Sequence, residues 1–427
     1  MKHLPLTPNS FSPLTRRSFL QAASAAGLSF STLRAATFED DPTGGKRKPT
    51  LVVVFLRGGV DGLNLIVPYG EDAYYRLRPQ LGIRRPGSAD GTAIDLDGFF
   101  GLHPAAASLA PMFQSGLAAC VHAVGTPANT RSHFEEQDRW ETAVDGAELE
   151  TSGWLNRYLS GSRGRGPVRA LALGERLPRS MRGDVATLAL RGLDDLVPRG
   201  SQGDLERTLT ALGRAYGGGK GGGSSELLRR EGRASLEALE QLKDVARNPP
   251  ASKVEYPNTD LGRRARELAR LVRADVGLEI VELDVGGWDT HENQGAAQGT
   301  YANNVRQVSD ALAALVRDLE DDLDDLMIVT VSEFGRTAAQ NGTFGTDHGW
   351  GSCVLALGGP VLRTRAKRKG PVLGDWPGLE REQLNQERDL AHTTDFRDVY
   401  AEMLTFLGCK DVGEVLPGHG VTRLGLV

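Results

Sequence analysis

Asp289 and His291 stand one residue apart in GGWDTHENQ (286–294), behind a glycine pair and a tryptophan. Carboxylate oxygen and imidazole nitrogen are standard zinc ligands, and on an extended loop a one-residue gap points both side chains the same way. Turn chemistry alone would also account for the pair, so its company decides. GTDHGWG (345–351) sets Asp347 beside His348 in a glycine-rich loop, where packing rarely calls for histidine. Glu333 directly follows the apolar run MIVTVS (327–332), a costly place for an acid without a partner. Arg336, three residues on, is either that partner or an anion-binding group, since its planar fork matches phosphate or sulfate. Asp61 in RGGVDGLN (57–64) reads as a metal ligand or as the Asx brace of a glycine turn.

Ser132 opens an S-x-x-E pattern with Glu135, the capping box of a helix start. A helix N-terminus also favours negative charge on an oxygen, which suits a nucleophilic alkoxide or a bound phosphate. His133, beside it, reads equally as a ligand or as a group that supports one. His103 carries no signal, and His392 falls at a helix entry that Thr393 or Thr394 would cap.

The elements that must position these residues alternate in type. Strand-like runs at 50–56, 117–124, 168–173, 186–190, 278–285, 327–332 and 353–359 are interspersed with helical patterns at 132–143, 226–247, 260–274, 301–323 and 396–407. That alternation predicts an α/β fold with a parallel or mostly parallel sheet and helices on both faces. Asp61, Ser132 with His133, Asp289 with His291, and Glu333 each follow a strand, and open α/β sheets bind ligands beyond their strands' carboxyl ends. Together the acids and histidines favour a metal centre over independent turn residues. Two ions about 4 Å apart are a common device for phosphoryl or sulfuryl transfer.

The chain of 427 residues fits one large α/β domain with insertions, and 40% hydrophobic residues suffice for its core. A net charge of −5 gives no electrostatic reason to expect nucleic acid. The acidic run LEDDLDDL (319–326) reads as a solvated helix end, and the widely spaced Cys120, Cys353 and Cys409 match no zinc pattern. Cys120 and Cys353, in apolar runs, read as buried free thiols. The run TRRSFLQAASAAGLSFSTLRAATF (15–38) has the layout of a twin-arginine signal, with removal near residue 36 and a periplasmic or extracellular destination. No other stretch reaches membrane-spanning length. Residues 1–36 thus read as signal peptide and 48–427 as the α/β domain, with a helical, glycine-rich insertion at 200–275 around the tract GGGKGGGSS (217–225).

The leader, RGGVDGLN, RSHFEEQD (131–138), GGWDTHENQ, SEFGRT (332–337) and DHGW (347–350) together resemble the bacterial exported family of unknown function numbered 1501. That family is similar to the alkaline phosphatase and sulfatase superfamily, whose fold is a three-layer α/β/α sandwich. The resemblance implies metal ligands at Asp61, Asp289, His291, Glu333 and His348, with Asp347 beside the last. It implies Ser132 as nucleophile, with His133 next to it, and Arg336 as the group that steadies the anion. Phe334 stands where the superfamily has a further histidine, and its Asp–His pair is usually spaced more widely. The implied activity is an exported hydrolase of small phosphate or sulfate esters, dependent on one or two divalent ions, zinc foremost and calcium or magnesium as alternatives. The implied partners are the twin-arginine translocase during export and another exported protein of unknown function. The other reading is a non-catalytic exported binding or assembly protein that keeps the fold.

Overall fold

The continuous apolar runs become one central sheet. The computed structural model describes residues 29–30, 49–128, 130–144, 152–164, 166, 168–196 and 224–427. The expected twin-arginine leader apart from residues 29–30, and residues 201–223 of the expected insertion with most of its glycine tract, lie outside the described residues. The main strands are β1 (Thr50–Leu56), β2 (Ala118–Gly125), β3 (Ala170–Leu173), β4 (Leu188–Leu190), β5 (Ile280–Val285), β6 (Leu326–Val331) and β7 (Ser352–Gly358). They lie in the order β4-β3-β5-β1-β6-β7-β2, with Ser29–Phe30 along β4 and the short strands Val372–Leu373 and Thr394–Asp395 along β2.

From β4 to β6 every pairing is parallel, whereas β7 runs antiparallel to both β6 and β2. β2 therefore points the same way as β1, β5 and β6. Their four carboxyl ends share one edge, and the residues leading into β7 arrive at that same edge from the opposite direction.

The main helices are α1 (His133–Thr142), α2 (Trp154–Gly161), α3 (Ser224–Arg247), α4 (Asp260–Arg273), α5 (Thr300–Asp318) and α6 (Phe396–Phe406). Because side chains alternate along a strand, β1 feeds two cores. Val52 and Val54 pack with Leu239 of α3, Leu268 of α4 and Leu312 of α5. Leu51, Val53 and Phe55 pack with Trp140 of α1, Trp154 of α2 and Tyr400 of α6. This is a three-layer α/β/α sandwich, and burial on both faces explains why β1 is apolar throughout. The stripe Leu261, Ala265, Leu268, Val272 shows the helical period that docks α4. Trp154 stacks on Tyr400 with ring centroids 4.1 Å apart, tying α2 to α6.

The acidic run after α5 forms a 3-10 turn, Glu320–Asp325, with no buried residue. Cys120 and Cys353 are buried free thiols, and Cys409 is partly exposed. Asp395 caps α6 through a bond from Arg397 N, in place of the expected Thr393 or Thr394. Among the described residues no helix is long and apolar enough to cross a membrane.

Candidate metal centre

Four side chains meet at the sheet edge where the strands end. After β5 the chain turns through Gly287, whose φ of +95° is costly for any other residue. Trp288, 1% exposed, anchors the turn edge-on against Tyr301 of α5. That anchor projects Asp289 and His291 outward. His133 is the first residue of α1, behind its N-cap Ser132. His348 comes from the loop before β7, where it forms an isolated antiparallel bridge with Arg336. The reversal of β7 thus brings the 347–351 loop to the same edge as the carboxyl ends of β1, β2, β5 and β6.

Hydrogen-bond chemistry fixes what these rings present to one another. His133 Nδ1 lies 2.8 Å from Glu333 Oε1, His291 Nδ1 lies 3.0 Å from Asp347 Oδ1, and His348 Nδ1 lies 2.9 Å from the carbonyl of Arg131. A carbonyl or an ionised carboxylate only accepts, so each Nδ1 carries the proton and each neutral ring turns a bare Nε2 inward. His291 Nε2 lies 2.9 Å from His348 Nε2 and 2.9 Å from Asp289 Oδ1. His348 Nε2 lies 3.2 Å from Asp289 Oδ1, and His133 Nε2 lies 3.5 Å from Asp289 Oδ2. Buried His133 Nε2 has no hydrogen-bond partner.

Three ring nitrogens and a carboxylate thus gather, a donor set of the kind that can hold a cation. Asp289 lies 2.9–3.5 Å from each ring nitrogen and His291 Nε2 lies 2.9 Å from His348 Nε2. These separations are close to the roughly 3.4 Å between ligand atoms on one tetrahedral zinc. The metal-spaced group itself comprises His133, Asp289 and His348, with His291 beside it. Among the described residues, the ligand atoms of His133, Asp289 and His348 lie within 4.8 Å of one another. The residues fit a divalent metal. Each ring is held through its other nitrogen, as metal-binding imidazoles usually are.

The electrostatics agree. Burial opposes ionisation of Asp289, but the bond and charge of Arg336, with His291 nearby, outweigh it and hold the carboxyl below its ordinary value. Burial is likewise overcome at Glu333 by its bonds from His133 and Gln137, and at Asp347 by those from His291 and Asn341. The bond to Glu333 is the main cause that raises the His133 pKa, whereas burial lowers that of His348.

Several expected roles change. Asp61 is fully buried, and its carboxylate accepts from Arg78 Nη1 at 2.7 and 2.8 Å and from Gln294 Nε2 at 2.6 Å. It is a core ion pair behind the edge rather than a member of the cluster. Arg336 is also buried, and its guanidinium donates to the carbonyls of Gly58, Gly59, Trp288 and Thr346 and to Asp289. A fork so engaged holds Asp289 and has no face left for a substrate anion. Glu333 accepts at 2.8 Å from each of Gly58 N, His133 and Gln137, so it positions His133 instead of ligating. Asp347 does the same for His291. Conversely His133, expected beside the nucleophile, supplies a ligand-type nitrogen.

Ser132 Oγ accepts from Glu135 N at 3.5 Å, as an N-cap. Phe334 packs against the rings of both His133 and His348, with centroids 4.8 and 4.9 Å away. Gly59 makes room for it, because a Cβ there would lie 2.5 Å from that ring. Sequence reasoning missed Arg131, whose contribution is a backbone carbonyl, and Gln137, one helical turn after His133.

Fold and site define an α/β sandwich with a candidate metal centre at the carboxyl edge of its sheet. The chain belongs to the family described as Protein of unknown function (DUF1501), whose model matches residues 48–410. No curated protein matches the chain. Among solved structures it is similar to the C-terminal periplasmic domain of EcEptC from Escherichia coli in complex with Zn, at 11% identity over 79% of this chain and 80% of that one, with a TM-score of 0.36. It is also similar to a sulfatase from Pseudoalteromonas sp., at 13% identity over 88% and 74%, TM-score 0.36. A third is the soluble domain of lipooligosaccharide phosphoethanolamine transferase A from Neisseria meningitidis, at 12% identity over 87% and 90%, TM-score 0.34.

Proposed function

We propose that this chain is an exported, metal-dependent hydrolase of phosphate or sulfate esters. The observation that carries the reading is the convergence of three Nδ1-tethered imidazoles on Asp289 at an accessible sheet edge. His133, His291, His348 and Asp289 would hold one divalent cation, and a set of nitrogens with one carboxylate suits zinc. Bound there, the cation supplies charge neutralisation for the anion that develops as the ester is cleaved.

The chain's own residues prepare that chemistry. Glu333, Asp347 and the Arg131 carbonyl keep protons at Nδ1, and Arg336 keeps the Asp289 carboxylate ionised and aimed. Side-chain exposures of 46% for Asp289 and 40% for His291 leave an ester room to approach. Ser132 is the proposed nucleophile, at a helix N-terminus whose amides favour negative charge on its oxygen. Its cap bond of 3.5 Å is long, so turning the hydroxyl toward an ester sacrifices little.

Export through the twin-arginine translocase belongs to the same reading, supported by Arg16 and Arg17 ahead of Phe19 and Leu20. Loss of export in an Arg16→Lys, Arg17→Lys variant tests it.

The hydrolase reading is tested by assaying the zinc-loaded chain on a panel of phosphate and sulfate esters. Turnover that disappears with a chelator and in an Asp289→Ala, His291→Ala variant is expected. Zinc retention with no turnover of any ester would reject hydrolysis. It would favour the second reading, a cation-holding binding or assembly protein that partners another exported protein. One observation supports that alternative: the guanidinium of Arg336 is fully buried and so presents nothing to a substrate anion.

A further inference from the structure

Of the three imidazole tethers, two end on carboxylates and one ends on the backbone carbonyl of Arg131. That carbonyl is aimed by an unusual conformation. Arg131 has a φ of +56°, a left-handed geometry that a residue other than glycine keeps only when its surroundings hold it. The Arg131 side chain reaches across to the 380s loop. Its Nε and Nη2 donate to Asp389 Oδ2 at 2.9 and 2.6 Å, and Nη2 donates to Gln386 Oε1 at 2.7 Å.

Asp389 is fully buried and locked by backbone bonds to Asn385 at 2.8 and 3.1 Å. It also forms an isolated bridge with Thr337, while His348 bridges Arg336, the residue before. Asp389 and His348 are thus fixed to the same two-residue stretch of backbone. The loop that carries the carbonyl is registered to that stretch by the guanidinium.

We propose that the Arg131–Asp389 ion pair is a positioning device for His348: it holds Arg131 left-handed so that its carbonyl fixes the Nδ1–H tautomer and aims Nε2 at the metal centre. This rests on the metal reading above and assigns parts to two residues outside the ligand set. Neither touches the cation or the substrate.

The test compares wild type with Asp389→Asn and Arg131→Gly, measuring zinc affinity by competition titration and the His348 tautomer of the metal-free protein by 15N NMR. Loss of a residue that orients a metal ligand typically weakens binding about 10- to 100-fold. That loss is expected in each variant, with no further loss in the double variant. The metal-free His348 should also pass from one tautomer to a mixture. A merely structural ion pair would lower thermal stability and leave both readouts unmoved. Affinities within twofold of wild type with an unchanged tautomer would overturn the proposal. Should Asp389→Asn fail to fold, Arg131→Gly still decides, since glycine accepts the left-handed φ and the replaced side chain is 28% exposed. A wild-type chain that takes up no zinc would sink the metal reading. The His348 tautomer in that same protein would still decide the clamp.

Discussion

Glu333→Gln isolates the charge behind His133 without disturbing the packing around it. Glu333 Oε1 accepts from Gly58 N, His133 Nδ1 and Gln137 Nε2, each at 2.8 Å. An amide oxygen, with two lone pairs, keeps the same three donors around it while bonding two of them at full strength. At the other oxygen stands Ser332 Oγ, 3.2 Å away, whose single hydrogen serves the closer carbonyl of Leu56 at 2.8 Å. A glutamine NH2 placed there would donate to that hydroxyl oxygen. The variant therefore keeps most of these contacts and loses one negative charge.

Without that charge His133 is a weaker ligand, and zinc affinity should fall about 10- to 100-fold. At zinc equal to 100 times the wild-type dissociation constant, binding stabilises wild type by about 2.7 kcal/mol. The same zinc stabilises the variant by about 1.4 to 0.4 kcal/mol, and the zinc-dependent rise in Tm should shrink by about 2–3 °C for a domain of this size. Differential scanning calorimetry at fixed zinc reads this directly.

The pH dependence has a defined sign in metal-free protein. The His133 pKa is raised above its ordinary 6.5, so its pairing with Glu333 contributes stability that is full below 6.5 and is lost as pH rises through the folded value. The gap between wild type and variant should widen as pH falls from 8 toward 6. Equal zinc affinity in the two proteins would refute the reasoning, as would a gap that closes on acidification.

Ser132→Ala should abolish ester turnover and leave zinc affinity unchanged, at a stability cost of only about 0.5 kcal/mol because the cap bond it loses is long; turnover at the wild-type rate would remove Ser132 from the chemistry. Phe334→His should leave zinc stoichiometry at one per chain, because Asp61 is committed to Arg78 and Gln294 and cannot complete a second site; elemental analysis showing two equivalents would contradict this. Arg336→Lys should destabilise the fold by about 1–3 kcal/mol for each buried carbonyl left without its donor, since one ammonium cannot serve the four carbonyls and the carboxylate that the fork engages; a denaturant midpoint equal to wild type would show that those contacts contribute nothing.

The strands were legible because burial on both faces writes a continuous apolar run, as in 50–56 and 327–332. Direction was not. The run at 353–359 carries no mark of being antiparallel, yet that reversal brings the 347–351 loop to the edge. That Asp289, His291 and His348 come together was legible from residue type and loop context. The roles of Asp61 and Arg336 were not, because an isolated charge at a strand end does not reveal its partner. Arg78 lies 17 residues from Asp61, and the carbonyls that engage Arg336 come from loops as far as 278 residues away. His133 was masked by the capping pattern it follows, which accounts for a helix start without any ligand. The contribution of Arg131 through its carbonyl leaves no side-chain signature at all.

The central claim is that three imidazoles and Asp289 hold one cation at the sheet edge. It is tested most directly by X-ray absorption at the zinc edge on the stoichiometrically loaded chain, repeated with the His133→Ala, His291→Ala and His348→Ala variants. The account predicts a single zinc at about 2.0–2.2 Å from nitrogen and oxygen ligands, with one imidazole fewer in each variant that still retains the metal. A first shell without histidine, or a spectrum that none of the three substitutions alters, would contradict it.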